Sequence, residues 1–185
     1  YGVCWPSPDP AVLLSALAAC TENLGFAATM STAAYKPWTI VRQLGTVDYL
    51  SGGRIGWNIV TGHLRGEHRA LGFHEVMAHD RRYDAADEFM EICNRLWNSV
   101  EPGAILADSE KGVYADPDKV KFVDYHGEFF NCETVSPVLP SPQGRPVLFQ
   151  AGTSGRGLRF GIEHADVVFS IMRHKDAATA SKAKS

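Results

Sequence analysis

The chain has 185 residues, 45% of them apolar, and a formal net charge of −3. That length sets one domain as the prior, and that apolar share supplies a core and excludes disorder for most of the chain. Lysines and arginines are scattered among acids with no basic stripe for nucleic acid, and no apolar run reaches the ~18 residues of a membrane span.

Residues 9–25, DPAVLLSALAACTENLG, predict a first helix, with Asp9 as cap, Pro10 in the first turn and Gly25 as the stop. FAATMST (26–32) reads as a buried strand. KPWTIVRQLGTVDYLSGG (36–53) predicts a second helix, with Pro37 early and Gly52-Gly53 after it, and RIGWNIVTG (54–62) a second buried strand. Residues 63–79 are polar and irregular, a loop with room for one short helical turn. HDRRYDAADEFMEICNRLWNSV (79–100) is the clearest helix: Tyr83, Ala86, Met90, Cys93 and Trp97 form one stripe, flanked by Phe89 and Leu96. Asp80, Asp84 and Asp87 lie in its early turns, where the helix dipole favours acids.

Residues 101–145 break the rhythm. They are rich in Pro, Gly and Asp, with short alternating pieces such as KFVDYHGEFF, and loops beyond roughly 12–15 residues are usually functional excursions. The rhythm resumes with strand PVLFQAG (146–152), helix GRGLRFGIEHA (155–165) and strand DVVFSI (166–171), before a polar tail at 171–185 that is expected to fray.

Apolar strands alternating with helices predict an α/β fold, a parallel sheet covered by helices. Two architectures fit, a doubly wound open sheet or part of a (β/α)8 barrel. A whole barrel takes about 250 residues, so with four strands in view the barrel reading requires missing pieces. The chain opens on YGVCWPSPDP without a Met and reads like the middle of a protein, so a fragment is expected. Cys4, Cys20, Cys93 and Cys132 form no C-x-x-C pair. Their spacing suggests neither zinc nor a disulfide framework and fits reduced thiols in a cytoplasmic protein.

In parallel α/β folds ligands gather at the C-terminal ends of the strands. Those ends carry Thr29, Ser31 and Thr32, then Asn58 and Thr61, then Thr153 and Ser154. QAGTSGRG has the parts of an anion cradle: Gly152 and Gly155 for close backbone approach, the Ser154 hydroxyl, a helix N-terminus and the charge of Arg156. It matches neither G-x-G-x-x-G nor the P-loop, and a plain strand-to-helix corner explains it equally well. His79 and Tyr83, four residues apart, share one helix face and could hold a phosphate or a flavin edge. The other reading makes His79 a helix cap and Tyr83 the start of the apolar stripe. His63, His68 and His74 share one loop but lack a metal-ligand spacing, so no metal is expected. With no nucleophile elbow or acid–base set in view, the chemistry points to a cofactor.

YLSGGRIGWNIVTG, HDRRYDAADEFMEICNRLWNS, KGVYADPDKVKFVDYHGEFF and SPQGRPVLFQAGTSGRGLRFGIEHADVVF, in that order, resemble the nitrilotriacetate / dibenzothiophene-sulfone monooxygenase branch of the bacterial-luciferase-like flavin monooxygenases. The resemblance runs from about residue 9 to residue 170. It implies a TIM-barrel domain over residues 1–170, part of a (β/α)8 barrel with a long insertion at about 100–145. It also implies reduced FMN (FMNH2) as a diffusible cosubstrate, delivered by a separate NAD(P)H-dependent flavin reductase. A flavin C4a-(hydro)peroxide would then oxygenate a small organic substrate with O2, in a protein expected to be a homo-oligomer. By the same resemblance Thr29, Asn58, His79, Tyr83 and Ser154 are flavin contacts, Ser154 at the phosphate. The HDRRY and SPQ stretches favour FMN over a deazaflavin. The resemblance leaves a non-catalytic remnant, binding at most a phosphate ligand or a partner chain, as the alternative.

Overall fold

The computed structural model describes residues 5–169. Its elements run α1 (Pro10–Ala19), β1 (Phe26–Ser31), α2 (Pro37–Leu50), β2 (Ile55–Val60), α3 (Arg65–Ala70), α4 (His79–Trp97), β3 (Ile105–Asp108), β4 (Val113–Ala115), β5 (Val123–His126), β6 (Asn131–Thr134), β7 (Val147–Gln150), α5 (Gly155–His164) and β8 (Val167–Val168). The main sheet has the order β1-β2-β7-β8, every pair parallel. Thr29 lies beside Asn58, and Asn58 beside Phe149.

The period-2 alternation of the strands sorts their side chains. Ala28, Met30, Ile55, Trp57, Ile59 and Leu148 are buried under the helices. Trp57 and Phe89 of α4 meet with ring centroids 5.9 Å apart, and the Trp57 indole N–H donates to the Met30 carbonyl at 3.0 Å. The α4 stripe behaves as its spacing requires: Tyr83, Ala86, Phe89, Met90, Cys93, Leu96 and Trp97 are all buried. Among the described residues the second face of the sheet is not covered. Ala27 and Thr29 are exposed and Asn58, Val147 and Phe149 half-buried, so strands expected to be buried throughout are buried on one face only.

Helix α1 ends at Ala19, not at Gly25. The stop is supplied from afar. Arg54, just before β2, donates to the carbonyls of Ala18, Thr21 and Leu24 at 2.8–2.9 Å, and these groups no longer need a continuing helix. The loop at 63–79 contains the six-residue α3. The insertion folds as two antiparallel hairpins, β3–β4 and β5–β6. The tip of the second is held by Glu88 of α4, whose carboxylate accepts from the N–H groups of Glu128, Phe129 and Phe130. The end of the insertion is pinned by the fully buried Asp48 of α2. It accepts from Ser141 Oγ (2.5 Å), Gln143 Nε2 (2.6 Å) and the Ile55 N–H (3.0 Å). The SPQ stretch is therefore a clamp at the N-terminal edge of β2, on the opposite side of the sheet from the strand ends where ligands gather. The continuation of β8 beyond Phe169 and the expected polar tail fall outside the described residues.

Candidate functional site

The C-terminal end of β7 leads through Ala151, Gly152 and Thr153 to Ser154, the N-cap of α5. Ser154 Oγ accepts from the Gly157 N–H at 3.0 Å, satisfying one donor of the helix's first turn. The N–H groups of Gly155 and Arg156, the first two of the helix, have no carbonyl within it to bond. A Cβ on Gly155 would meet nothing within 4 Å, so that face of the turn is open to a ligand. Gln150, buried at the strand end, accepts from the Gly152 N–H at 2.7 Å and fixes the entry to the turn.

The first turn of α4 comes to the same place. His79 Nε2 lies 3.4 Å from Ser154 Oγ, and its Nδ1 is 2.6 Å from the Asp80 carboxylate. A carboxylate only accepts, so Nδ1 carries a proton, and in the neutral ring Nε2 faces the Ser154 hydroxyl as an acceptor. The helix cap is Ala78, without a side-chain hydrogen bond, so His79 does not cap it. Tyr83 is buried, its ring 5.2 Å from that of His79 and 5.5 Å from that of Phe160, while its hydroxyl reaches α5. Gly157 makes this approach feasible: a Cβ there would sit 2.6 Å from Tyr83 Oη and 3.0 Å from Ser154 Oγ. Tyr83 thus starts the apolar stripe and also reaches the turn, so the two readings of it are compatible.

Arg156 does not add its charge to the turn as expected. Its guanidinium bonds Asp84 at 3.3 Å and Asp87, and lies 5.5 Å from the Tyr83 ring centroid. Asp87 also meets His164 Nε2 at 2.9 Å. Asp84 and Asp87 of α4 therefore pair with α5 in addition to suiting the helix dipole. The pairing locks the two helices that carry His79, Tyr83 and Ser154.

Thr29 and Asn58 form a second contact set on the uncovered face of the sheet. Asn58 Nδ2 donates to Thr29 Oγ1 at 3.0 Å, while Asn58 Oδ1 is enclosed and finds no donor among the described residues. No hydrogen bond or ring contact joins this pair to the His79–Tyr83–Ser154 set. Tyr35, just past β1, was not among the sequence candidates. Its hydroxyl donates to Asp9 at 2.9 Å, and burial together with that carboxylate pushes its pKa up to about 12. Burial also pushes the thiols of Cys93 and Cys132 up, which keeps them protonated and unreactive. The carboxylate–imidazole clusters among the described residues are Asp87/Glu163/His164 and Asp124/His126/Glu133, and none of His63, His68 and His74 belongs to either.

The chain is similar to known proteins. The sequence profile of the luciferase-like monooxygenase family matches residues 1–184. The chain is 44% identical over 173 residues to the dibenzothiophene-sulfone monooxygenase of Rhodococcus erythropolis, covering 94% of this chain and 38% of that protein. It is 37% identical over 165 residues to nitrilotriacetate monooxygenase component A of Aminobacter aminovorans, covering 89% and 36%. Among solved structures, a riboflavin lyase crystallised with modified FMN and riboflavin superposes with a TM-score of 0.88 at 41% identity, over 97% of this chain and 40% of that one. The chain spans less than two fifths of the length of these two curated relatives. Its α/β fold with a parallel sheet, open on one face, is part of the barrel of such enzymes, and the chain belongs to the luciferase-like monooxygenase family.

Proposed function

We propose that the chain carries the phosphate end and one wall of the flavin site of an FMNH2-dependent, two-component monooxygenase. The carrying observation is the convergence of Ser154, His79 and Tyr83 at the N-terminus of α5, beside the open Gly155. In this reading the phosphate takes the N–H groups of Gly155 and Arg156 and the Ser154 hydroxyl, with the helix dipole favouring its charge. His79 and Tyr83 border the ribityl arm, and Thr29 and Asn58 face the ring, where Asn58 Oδ1 has an unmet need for a donor. Bound reduced FMN supplies the electrons that activate O2 for insertion into a small organic substrate. The chain's own residues bind, orient and exclude water.

The name "component A" of one relative supports a separate NAD(P)H-dependent flavin reductase as partner. A homo-oligomer and a cytoplasmic location complete the reading; no helix among the described residues is long and apolar enough to cross a membrane. The domain is taken as residues 1–170. Oxygen consumption by the chain, supplied with FMN, NADH and a flavin reductase, tests activity beyond binding. Binding of FMN without consumption above the reductase alone favours the second reading, a phosphate-binding remnant, which the uncovered sheet face supports.

A further inference from the structure

Directly after the C-terminal end of β2 the chain builds a concavity that the flavin site does not use. Gly62, at φ +68°, turns the chain over the strand ends, where its neighbours are Ser31 Oγ and the His68 ring. Helix α3 follows. Gly72, at φ +87°, then reverses the chain, and the Phe73 N–H closes on the His68 carbonyl at 2.9 Å, so that residues 74–76 fold back against α3. The concave space, about 390 Å³, is lined by the exposed Arg65, Arg69, His74 and Glu75 together with His68 and Val76.

The charges there are unbalanced. Arg65 and Arg69 stand at i and i+4 on one face of α3, a like-charge pair that costs helix stability without a counter-ion. Neither has an ion-pair partner among the described residues. Glu67, two positions from each, does not share their face; it is close enough to Tyr35 to raise that phenol's pKa. Only Glu75 opposes the two guanidiniums within the lining. His68 is 5% exposed, and its Nδ1 meets the Leu64 carbonyl at 3.2 Å. A carbonyl only accepts, so Nδ1 is the donor; in the neutral ring Nε2 is then an acceptor, which offers nothing to a carboxylate, and His68 serves as the buried wall of the concavity. A space of this size is ordinary for a small-molecule subsite.

We infer that this concavity binds the carboxylate end of an anionic substrate, with Arg65 and Arg69 as charge partners and the buried His68 ring as its wall. The inference deepens the monooxygenase reading and rests on it for the word substrate. The test is calorimetric titration of the 185-residue chain with tricarballylate, its neutral trimethyl ester, and FMN. The expected result is saturable tricarballylate binding, weakened at least ~10-fold in Arg65→Gln/Arg69→Gln, retained in Arg65→Lys/Arg69→Lys, absent for the ester, and undiminished by saturating FMN. Circular dichroism of each variant verifies the fold. No binding, equal binding of the ester, or an unchanged affinity in the glutamine variant overturns the subsite. Competition by FMN overturns it too, by giving the concavity to the flavin phosphate. FMN binding is measured in the same samples, so failure of the flavin reading with tricarballylate binding intact is distinguishable from failure of the subsite.

Discussion

Gly157→Ala sets two effects of opposite sign against each other. In a helix interior alanine is favoured over glycine by about 1 kcal/mol, so at a roomy position this substitution would stabilise the chain. Here the new Cβ would stand 2.6 Å from Tyr83 Oη, 3.0 Å from Ser154 Oγ and 3.2 Å from the Gly152 Cα. The Tyr83 hydroxyl cannot swing away freely, because its ring is held by Phe160, His79 and Arg156. Overpacking of this kind costs about 1–3 kcal/mol. The net is a loss of up to about 2 kcal/mol. At roughly 2–4 °C per kcal/mol for a chain of this size, that lowers Tm by several degrees. Because the displaced groups are Tyr83 and Ser154, FMN affinity should fall together with Tm. The double variant Tyr83→Phe/Gly157→Ala removes the closest overlap and should recover stability relative to the sum of the single changes. The assay is thermal unfolding by circular dichroism with FMN fluorescence quenching on the same samples. A rise in Tm of Gly157→Ala by the full helix-propensity increment would refute the packing of Tyr83 against the turn.

The other predictions concern the frame around the site. Asp48→Ala leaves the buried Ile55 N–H and the Ser141 hydroxyl without an acceptor, and at about 1–3 kcal/mol per orphaned group it should cost about 3 kcal/mol in urea unfolding; a change within ~0.5 kcal/mol would show that the clamp is not tight. Arg145 beside Asp166 holds that carboxyl below its ordinary value, so the stabilisation is present above about pH 4 and lost as pH falls through the lower folded value. Arg145→Gln should therefore lower Tm at neutral pH and flatten its decline in acid, and parallel Tm–pH curves for the two proteins would contradict this. Tyrosinate absorbance should show one phenol ionising at about 12, and Asp9→Asn should bring it down.

Much of the frame was legible because its causes are local. The α4 stripe follows from helical spacing, the parallel sheet from apolar runs between helices, and the start of α5 at Gly155 from the small polar turn before a helix-forming run. What was misread depended on partners distant in sequence. Gly25 looked like the stop of α1, yet the carbonyls there are taken by Arg54. Arg156 looked like part of the anion cradle, yet its partners are Asp84 and Asp87 on another helix. The Asp48 clamp did leave a signal: Asp48 stands at i+7 from Val41 and i+4 from Leu44, on the buried stripe of α2. A carboxylate at a stripe position announces a buried partner without saying which. The uncovered sheet face depends on which side of the sheet the helices pack, and no local pattern could reveal it.

Whether the α5 turn holds a phosphate is tested directly by fluorescence titration of the chain with FMN and with riboflavin, which lacks only the phosphate. Charge-assisted hydrogen bonds contribute about 1.5–3 kcal/mol each, so FMN should bind at least ~10-fold more tightly than riboflavin. Ser154→Ala should reduce that preference by about the one hydrogen bond it removes while leaving riboflavin binding unchanged. Equal affinities for the two flavins, or a preference undiminished by Ser154→Ala and His79→Ala together, would contradict a phosphate at this turn.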